Sequence, residues 1–257
     1  MLAHVTCPGD SGARLWLLRK YARREVPLLR LLYRLINSRA MRSRVLSELL
    51  FWTLAYPSAR WGIAGTPLSP DELQGFFSRG GRIAVGPCRC RLAHGACGHP
   101  LETDIVVRAG FPAWTGVFGP EYREIDEAEA LEICARSHEQ GMAQIAYTHL
   151  DIAGGGATFV ICNCCGDGCL PLLTMRHYGR DRYPMNRGNY EALIDTDACE
   201  GCGRCVEACV FGVRRVGRDG KATVEDCLGC GLCVTHCPAG ASSMVRASGS
   251  RNGLERG

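Results

Sequence analysis

Near the C-terminus one cysteine spacing, CxxCxxCxxxC, occurs twice: Cys199, Cys202, Cys205 and Cys209, then Cys227, Cys230, Cys233 and Cys237, each member displaced by 28 positions. A duplication this regular constrains the fold more than any other feature of the chain. Three thiols at i, i+3 and i+6 sit on one short loop and can face a common centre. The fourth, after three intervening residues, is carried off on a helical turn. Glycines interleave both loops, as Glu200-Gly201-Cys202-Gly203 and Leu228-Gly229-Cys230-Gly231. Glycine lets the backbone turn tightly and bring its N–H groups toward sulfur.

Zinc sites use paired CxxC units that give four ligands to one ion, and secreted disulfide frameworks pair an even number of cysteines behind a leader peptide. Neither suits this chain, whose 17 cysteines are odd in number. Residues 1–10 lack a basic stretch followed by an apolar one, and Arg23-Arg24 is followed by Arg30 and Arg34 instead of a charge-free apolar run. The expected location is therefore cytoplasmic, with the thiols as metal ligands.

Residues 192–245 resemble a bacterial-type two-[4Fe–4S] ferredoxin domain, with Pro238 after the last cysteine as in that family. The resemblance implies two [4Fe–4S] clusters with crossed ligands. Cluster one would take Cys199, Cys202, Cys205 and Cys237, and cluster two Cys227, Cys230, Cys233 and Cys209. Val210 departs from the pattern, standing where the first copy would carry Pro.

A second constellation lies upstream: Cys88, Cys90 and Cys97 in PCRCRLAHGACGHP, and Cys162, Cys164, Cys165 and Cys169 in ICNCCGDGCL. Each group follows a predicted strand, Ile83–Val85 and Thr158–Ile161 respectively. If these strands are parallel neighbours, both groups emerge at one sheet edge and seven thiols converge on one candidate metal site. A third iron–sulfur cluster, a zinc or other thiolate site, and a thiol–disulfide redox site are the alternatives. Cys134 reads as a packing residue inside its helix, and neither it nor Cys7 is assigned to a metal. His94 and His99 lie near Cys97 in sequence but are left out of the ligand set. With its PLE stretch and ICNCC run, this part resembles a group of poorly characterised multi-cysteine iron–sulfur proteins, in which further cysteines stand where this chain has Asp104 and Gly168. That comparison implies fewer metal atoms here, or Asp104 or a histidine as an unusual ligand.

Charge is unevenly spread. Residues 1–60 hold 11 Lys/Arg against 3 Asp/Glu, a net of +8, which leaves −4 for the rest of a chain whose total is +4. Leu15, Leu18, Ala22, Val26, Leu29, Tyr33 and Ile36 recur at helical spacing among the arginines, so a basic amphipathic helix is expected. Pro27 should kink it or begin a second helix. Ser43–Tyr56 is a further apolar helix, and the longest apolar run, Leu49–Tyr56, is too short to span a membrane. The arm reads as packed on the body or on a twin subunit, or as a peripheral membrane anchor. No base-stacking aromatic pattern accompanies the charge, so no nucleic-acid partner is expected.

Between these parts, residues 62–70 read as a Gly/Pro linker. Ser69-Pro70-Asp71-Glu72 should cap a helix to about Ser78, and Asp126 with Glu129 a helix from Glu127 to about Gln140. Strands are expected at 82–85, 104–107, 142–147 and 157–161, with a hairpin around residues 217–220 and a terminal strand pair from Leu193-Ile194 and 243–245. Gly154-Gly155-Gly156 lacks the Lys-Ser/Thr of a phosphate loop and reads as a turn. Asp126, Glu127, Glu129 and Glu132 mark a helix start and not a catalytic pair.

The expected fold is α+β: a helical arm (1–61), a small α/β cysteine-rich domain (62–175), a linker (176–191), a ferredoxin-like domain (192–245) and a disordered tail (246–257). The expected function is electron transfer to or from a partner oxidoreductase. A reductive enzyme or enzyme subunit, its site in the cysteine-rich domain, is the alternative.

Overall fold

A computed structural model describes residues 12–59, 63–79, 81–95, 97–149 and 157–247. Cys7, the glycine run 154–156 and the tail from Ser248 lie outside the described residues.

The chain is mixed α and β. Helix α1 (Gly12–Ile36) carries Pro27 within a single helix, so Pro27 does not begin a second one. Arg44–Leu50 forms α2, extended by a π-helical turn over Phe51–Ala55. The expected linker is instead a strand, β1 (Ile63–Leu68). It lies at the edge of the sheet, where Pro67 can be tolerated without a ladder donor. Gly65 lies under the Tyr147 ring, which a Cβ would meet at 2.8 Å.

Helix α3 (Pro70–Phe77) starts at the capping box of Ser69 and Glu72, with Pro70 in its first turn. The next elements are β2 (Ile83–Pro87), α4 (Arg89–His94), β3 (Glu102–Val107), α5 (Gly110–Phe118) and β4 (Arg123–Ile125). Helix α6 (Glu127–Glu139) begins where the Asp126 carboxylate accepts from the Glu129 N–H, and Gly141 ends it at φ +81°. Strands β5 (Ala143–His149) and β6 (Ala157–Cys164) follow, then α7 (Leu170–Tyr178), which occupies the end of the expected cysteine-rich domain and the start of the expected linker.

The sheet runs β1-β5-β6-β3-β2-β4 and every pairing is antiparallel. The expected mixed layer of strands and helices is present, but the condition that the strands leading to the two cysteine groups be parallel neighbours is not met. β2 and β6 do point the same way, but β3 lies between them. Alternate residues face opposite layers, as pleating requires. Ile83, Val85, Ile105, Val107 and Ile161 pack with Leu73, Phe76 and Ile133 of α3 and α6. Ala84, Val106, Ile145 and Phe159 pack with Leu18 and Ala22 of α1 and with Trp114 and Leu172. Trp114 stacks on Phe159 with ring centroids 5.2 Å apart.

The C-terminal part comprises β7 (Tyr190–Ile194), α8 (Arg204–Glu207), β8 (Arg214–Val216), β9 (Ala222–Val224), α9 (Leu232–Thr235) and β10 (Ser242–Arg246). β7 pairs with β10 and β8 with β9, the two expected pairings. Phe211, Leu228, Cys230 and Leu232 join the core shared by α1 and the large sheet. Among the described residues no helix is long and apolar enough to cross a membrane.

Candidate metal centres

Each short loop of the C-terminal repeat is built the same way. Gly201 and Gly203 hold φ of +69° and +78°, and Gly229 and Gly231 hold +89° and +83°. A Cβ on Gly201 would meet the Gly220 carbonyl oxygen at 2.1 Å, and one on Gly229 would meet that of Tyr190 at 2.3 Å. Glycine is required at both. An N–H from the strand alongside donates to the first sulfur of each loop, Ala222 to Cys199 and Ala192 to Cys227, both at 3.4 Å. The N–H groups of Ala222 and Gly201 hold the Cys199 thiol below its ordinary value.

Cys199, Cys202 and Cys205 line one small cavity together with Cys237, which comes from the other repeat. Around Cys230 and Cys233 the neighbouring ionisable thiols include Cys209, from the first repeat, and Cys227. Burial pushes the Cys233 thiol up to about 11, while the Arg214 guanidinium opposes that shift. A donor set of four thiols with backbone N–H groups aimed at sulfur fits a cubane. Residues 198–242 match the 4Fe-4S dicluster domain family. The dicluster segment supports an iron–sulfur electron-transfer role for the chain. No curated protein matches it.

Upstream of the dicluster segment, the sheet brings the two cysteine groups to one end. Asp104 on β3 is in register with Gly86 on one side and Cys162 on the other. Cys162 donates to Asp104 Oδ1 at 3.3 Å, and Tyr122 donates to Oδ2 at 2.7 Å. Tyr122 also covers Gly86, where a Cβ would meet its ring at 2.6 Å. Cys88 precedes α4 and Cys169 precedes α7, so both helices start at this end.

Cys88, Cys90, Cys162, Cys164, Cys165 and Cys169 line one cavity of about 230 Å³. Cys97 is not on that wall; its Sγ lies 3.4 Å from Cys165 Sγ. Cys134 is buried on the core face of α6, apart from the cavity. The opposite wall is apolar and comes largely from the arm, including Leu28, Leu32, Leu50 and Leu54.

Burial and the neighbouring Cys90 push the Cys88 thiol up to about 12. Contact with Cys169, followed by burial, drives Cys90 well above the ordinary thiol value. Without a cation these groups stay protonated, whereas a bound metal deprotonates a coordinating thiol outright. The donor set therefore fits a thiolate-held metal. Glu25 of α1 also lines the cavity, and it accepts from Tyr21 and from Trp114 Nε1, each at 3.3 Å. Burial, reinforced by Asp104, pushes its carboxyl up to about 8, so it can hold a proton near neutral pH.

Sequence reasoning missed two structural groups of this site. Arg91, 2% exposed, ties α4 to the sheet end. Glu25 was counted only as an acid within a basic arm. An arginine directly after Cys90 was the available signal for the first; for Glu25 the local partner Tyr21 gives no hint of burial, because Asp104 and Trp114, which enclose it, lie about 80 and 90 residues away.

Proposed function

We propose that this chain is an electron-transfer protein that holds two [4Fe–4S] clusters and a further thiolate metal site, and exchanges single electrons with a redox partner protein. The observation that carries this reading is the crossed cavity, where Cys237 joins Cys199, Cys202 and Cys205. A bound [4Fe–4S] cluster supplies reversible one-electron chemistry, tuned by hydrogen bonds to sulfur and by burial.

The placement of the ligands suggests a direction for transfer. Cys202 is exposed, and Cys199, Cys205 and Cys237 belong to a small core that also takes in Cys227 and Cys233 of the second set. Cys209 and Cys230 instead pack in the core that includes Cys164 and Cys169. Exposed Cys202 therefore offers the first set to a docking partner, while Cys209 and Cys230 bring the second set next to the core of the upstream thiols. Arg214, buried and donating to Ser242 at 3.2 Å, carries positive charge beside Cys233 and Cys199.

Anaerobic quantification of iron and acid-labile sulfide, with EPR of the reduced full chain, tests this reading. About eight irons and eight sulfides are expected from the dicluster segment, with magnetic interaction between the two centres. Zinc in place of iron at these cysteines, or iron for a single cluster after full reconstitution, would overturn it.

A second reading, a reductive enzyme, is favoured by the cavity. It combines an apolar wall, six thiols and a Glu25 carboxyl that holds its proton, which is what reduction and protonation of a small apolar acceptor would need. Turnover with a soluble electron donor would distinguish an enzyme from a carrier.

The arm supports a peripheral membrane role. α1 buries Leu18, Ala22, Leu29 and Tyr33 against the body, yet Trp16 and Trp52 are 54% and 58% exposed, and Leu31, Leu46 and Leu49 of the same arm are exposed too. Exposed tryptophan among arginines suits an anionic lipid surface. The full chain is expected to cosediment with acidic vesicles at low salt and to release at high salt. Leu49→Glu with Trp52→Glu should weaken this roughly tenfold, as loss of about 1.4 kcal/mol of interfacial burial implies. Absence of binding at low salt would count against the anchor. Deleting the arm is a poor test, because Leu18 and Ala22 belong to the core.

A further inference from the structure

Beside the six-thiol cavity, Cys97, His99, Cys165 and Asp167 bring one ligand atom each to within 4.8 Å of one another. Cys97 Sγ is 3.4 Å from Cys165 Sγ and 3.6 Å from Asp167 Oδ1, and His99 Nε2 is 3.9 Å from the same oxygen. We propose that these four side chains form a mononuclear divalent-metal site of zinc type at the cavity rim, which takes Cys165 for itself and leaves five thiols to the cavity. This goes beyond the electron-transfer reading, in which Cys97 and Cys165 would belong to a single upstream centre.

The distances are those of one ion. Ligands on a tetrahedron with metal–sulfur bonds of about 2.3 Å and metal–nitrogen or metal–oxygen bonds of about 2.0–2.2 Å lie about 3.3–3.8 Å apart along its edges. Thiolates bound to different corners of a cubane are held farther apart by the cluster between them. Two soft sulfurs, an imidazole and a carboxylate also suit a borderline-soft divalent ion better than iron–sulfur chemistry.

The local backbone is shaped for this approach. A Cβ on Gly168 would stand 3.0 Å from Cys97 Cβ and 3.3 Å from Cys165 Sγ. Any larger residue there would push the 97–99 segment away from the 165–167 turn by a few tenths of an ångström. The Tyr33 hydroxyl donates to the Gly168 carbonyl and ties that turn to α1. Cys165 is buried, Cys97 and His99 are half-buried and Asp167 is exposed, which gives the ion a route in from solvent. The site would cross-link residues nearly 70 positions apart and close the rim of the cavity, a structural role like that of other four-ligand zinc sites.

The test uses the full chain with its iron centres already reconstituted, so that the other cysteines are occupied, and cobalt(II) as the probe. One cobalt per chain is expected, with the intense visible bands of tetrahedral coordination and a sulfur-to-cobalt charge-transfer band, displaced stoichiometrically by zinc. Cys97→Ser and His99→Ala should each weaken cobalt binding at least tenfold while iron content and the EPR of the reduced clusters stay unchanged. Cys134→Ala, at a packing thiol outside both sites, should leave the cobalt spectrum intact. The proposal is overturned if cobalt binds octahedrally or not at all, or if Cys97→Ser lowers iron content. It is equally overturned if anaerobic thiol mapping finds Cys97 and Cys165 joined as a disulfide. None of these results alters the iron count of the dicluster segment, so this site and the electron-transfer reading fail separately.

Discussion

Cys209→Ala is expected to remove one [4Fe–4S] cluster and leave the other, halving the iron held by the dicluster segment from about eight to about four. The fourth thiol of the first repeat sits among Cys227, Cys230 and Cys233, while its counterpart Cys237 shares a cavity with Cys199, Cys202 and Cys205. Double variants make the crossing visible. Combined with Cys230→Ala, which strikes the same centre, Cys209→Ala should cost no further iron. Combined with Cys202→Ala, which strikes the other, it should leave the segment nearly iron-free. The reverse pattern would mean that each repeat holds its own cluster, and the crossed assignment would have to be abandoned. Alanine is preferred to serine because a serine oxygen can still ligate iron.

Arg91→Ala should destabilise the cysteine-rich body by about 3–5 kcal/mol, enough to lower its melting temperature by roughly 6–15 °C. Its guanidinium donates to the carbonyls of Pro100 and Asn163, and it reaches Thr103 Oγ1 and Met142 Sδ, both at 2.8 Å. One side chain therefore joins α4 to the β3 entry, the start of β5 and the end of β6, around the cysteine-bearing end of the sheet. Removing it strands several buried acceptors at once. Arg91→Lys should recover little, because a single ammonium cannot reproduce the fork. A loss below about 1 kcal/mol in equilibrium unfolding would show that water or a neighbour takes over these acceptors.

Asn163 shows why such a network escapes a sequence reading. Within the ICNCC run it sits between two cysteines, yet its amide bonds to Thr103 and Gln144 and not to the thiols beside it. It donates to the Thr103 carbonyl at 2.8 Å and accepts from Gln144 at 2.9 Å, and Gln144 in turn bonds His138. Alternation along a strand predicts that Asn163 faces the other side. What it meets there depends on which strands are its neighbours.

The sequence by itself determined what is local. The spacing of the repeat puts three thiols on each loop, and the glycines among them provide the positive φ that the loops need. Ser69-Pro70-Glu72 and Asp126-Glu129 set their helix starts, because caps act within one turn of chain. The arm's apolar stripe was legible for the same reason. Only the tertiary structure decided the rest. Gly65 and Pro67 read as a linker, yet an edge strand tolerates both. Helix α5 was obscured by glycine and proline; Gly110 is needed because a Cβ there would sit 1.9 Å from the Phe159 carbonyl oxygen. Strand order placed β3 between β2 and β6 and so put Asp104 between the two cysteine groups, a long-range pairing that no local propensity encodes. The division of the upstream thiols, with six around a cavity and Cys97 against Cys165, follows from that strand order and from how two loops about 70 residues apart close on each other.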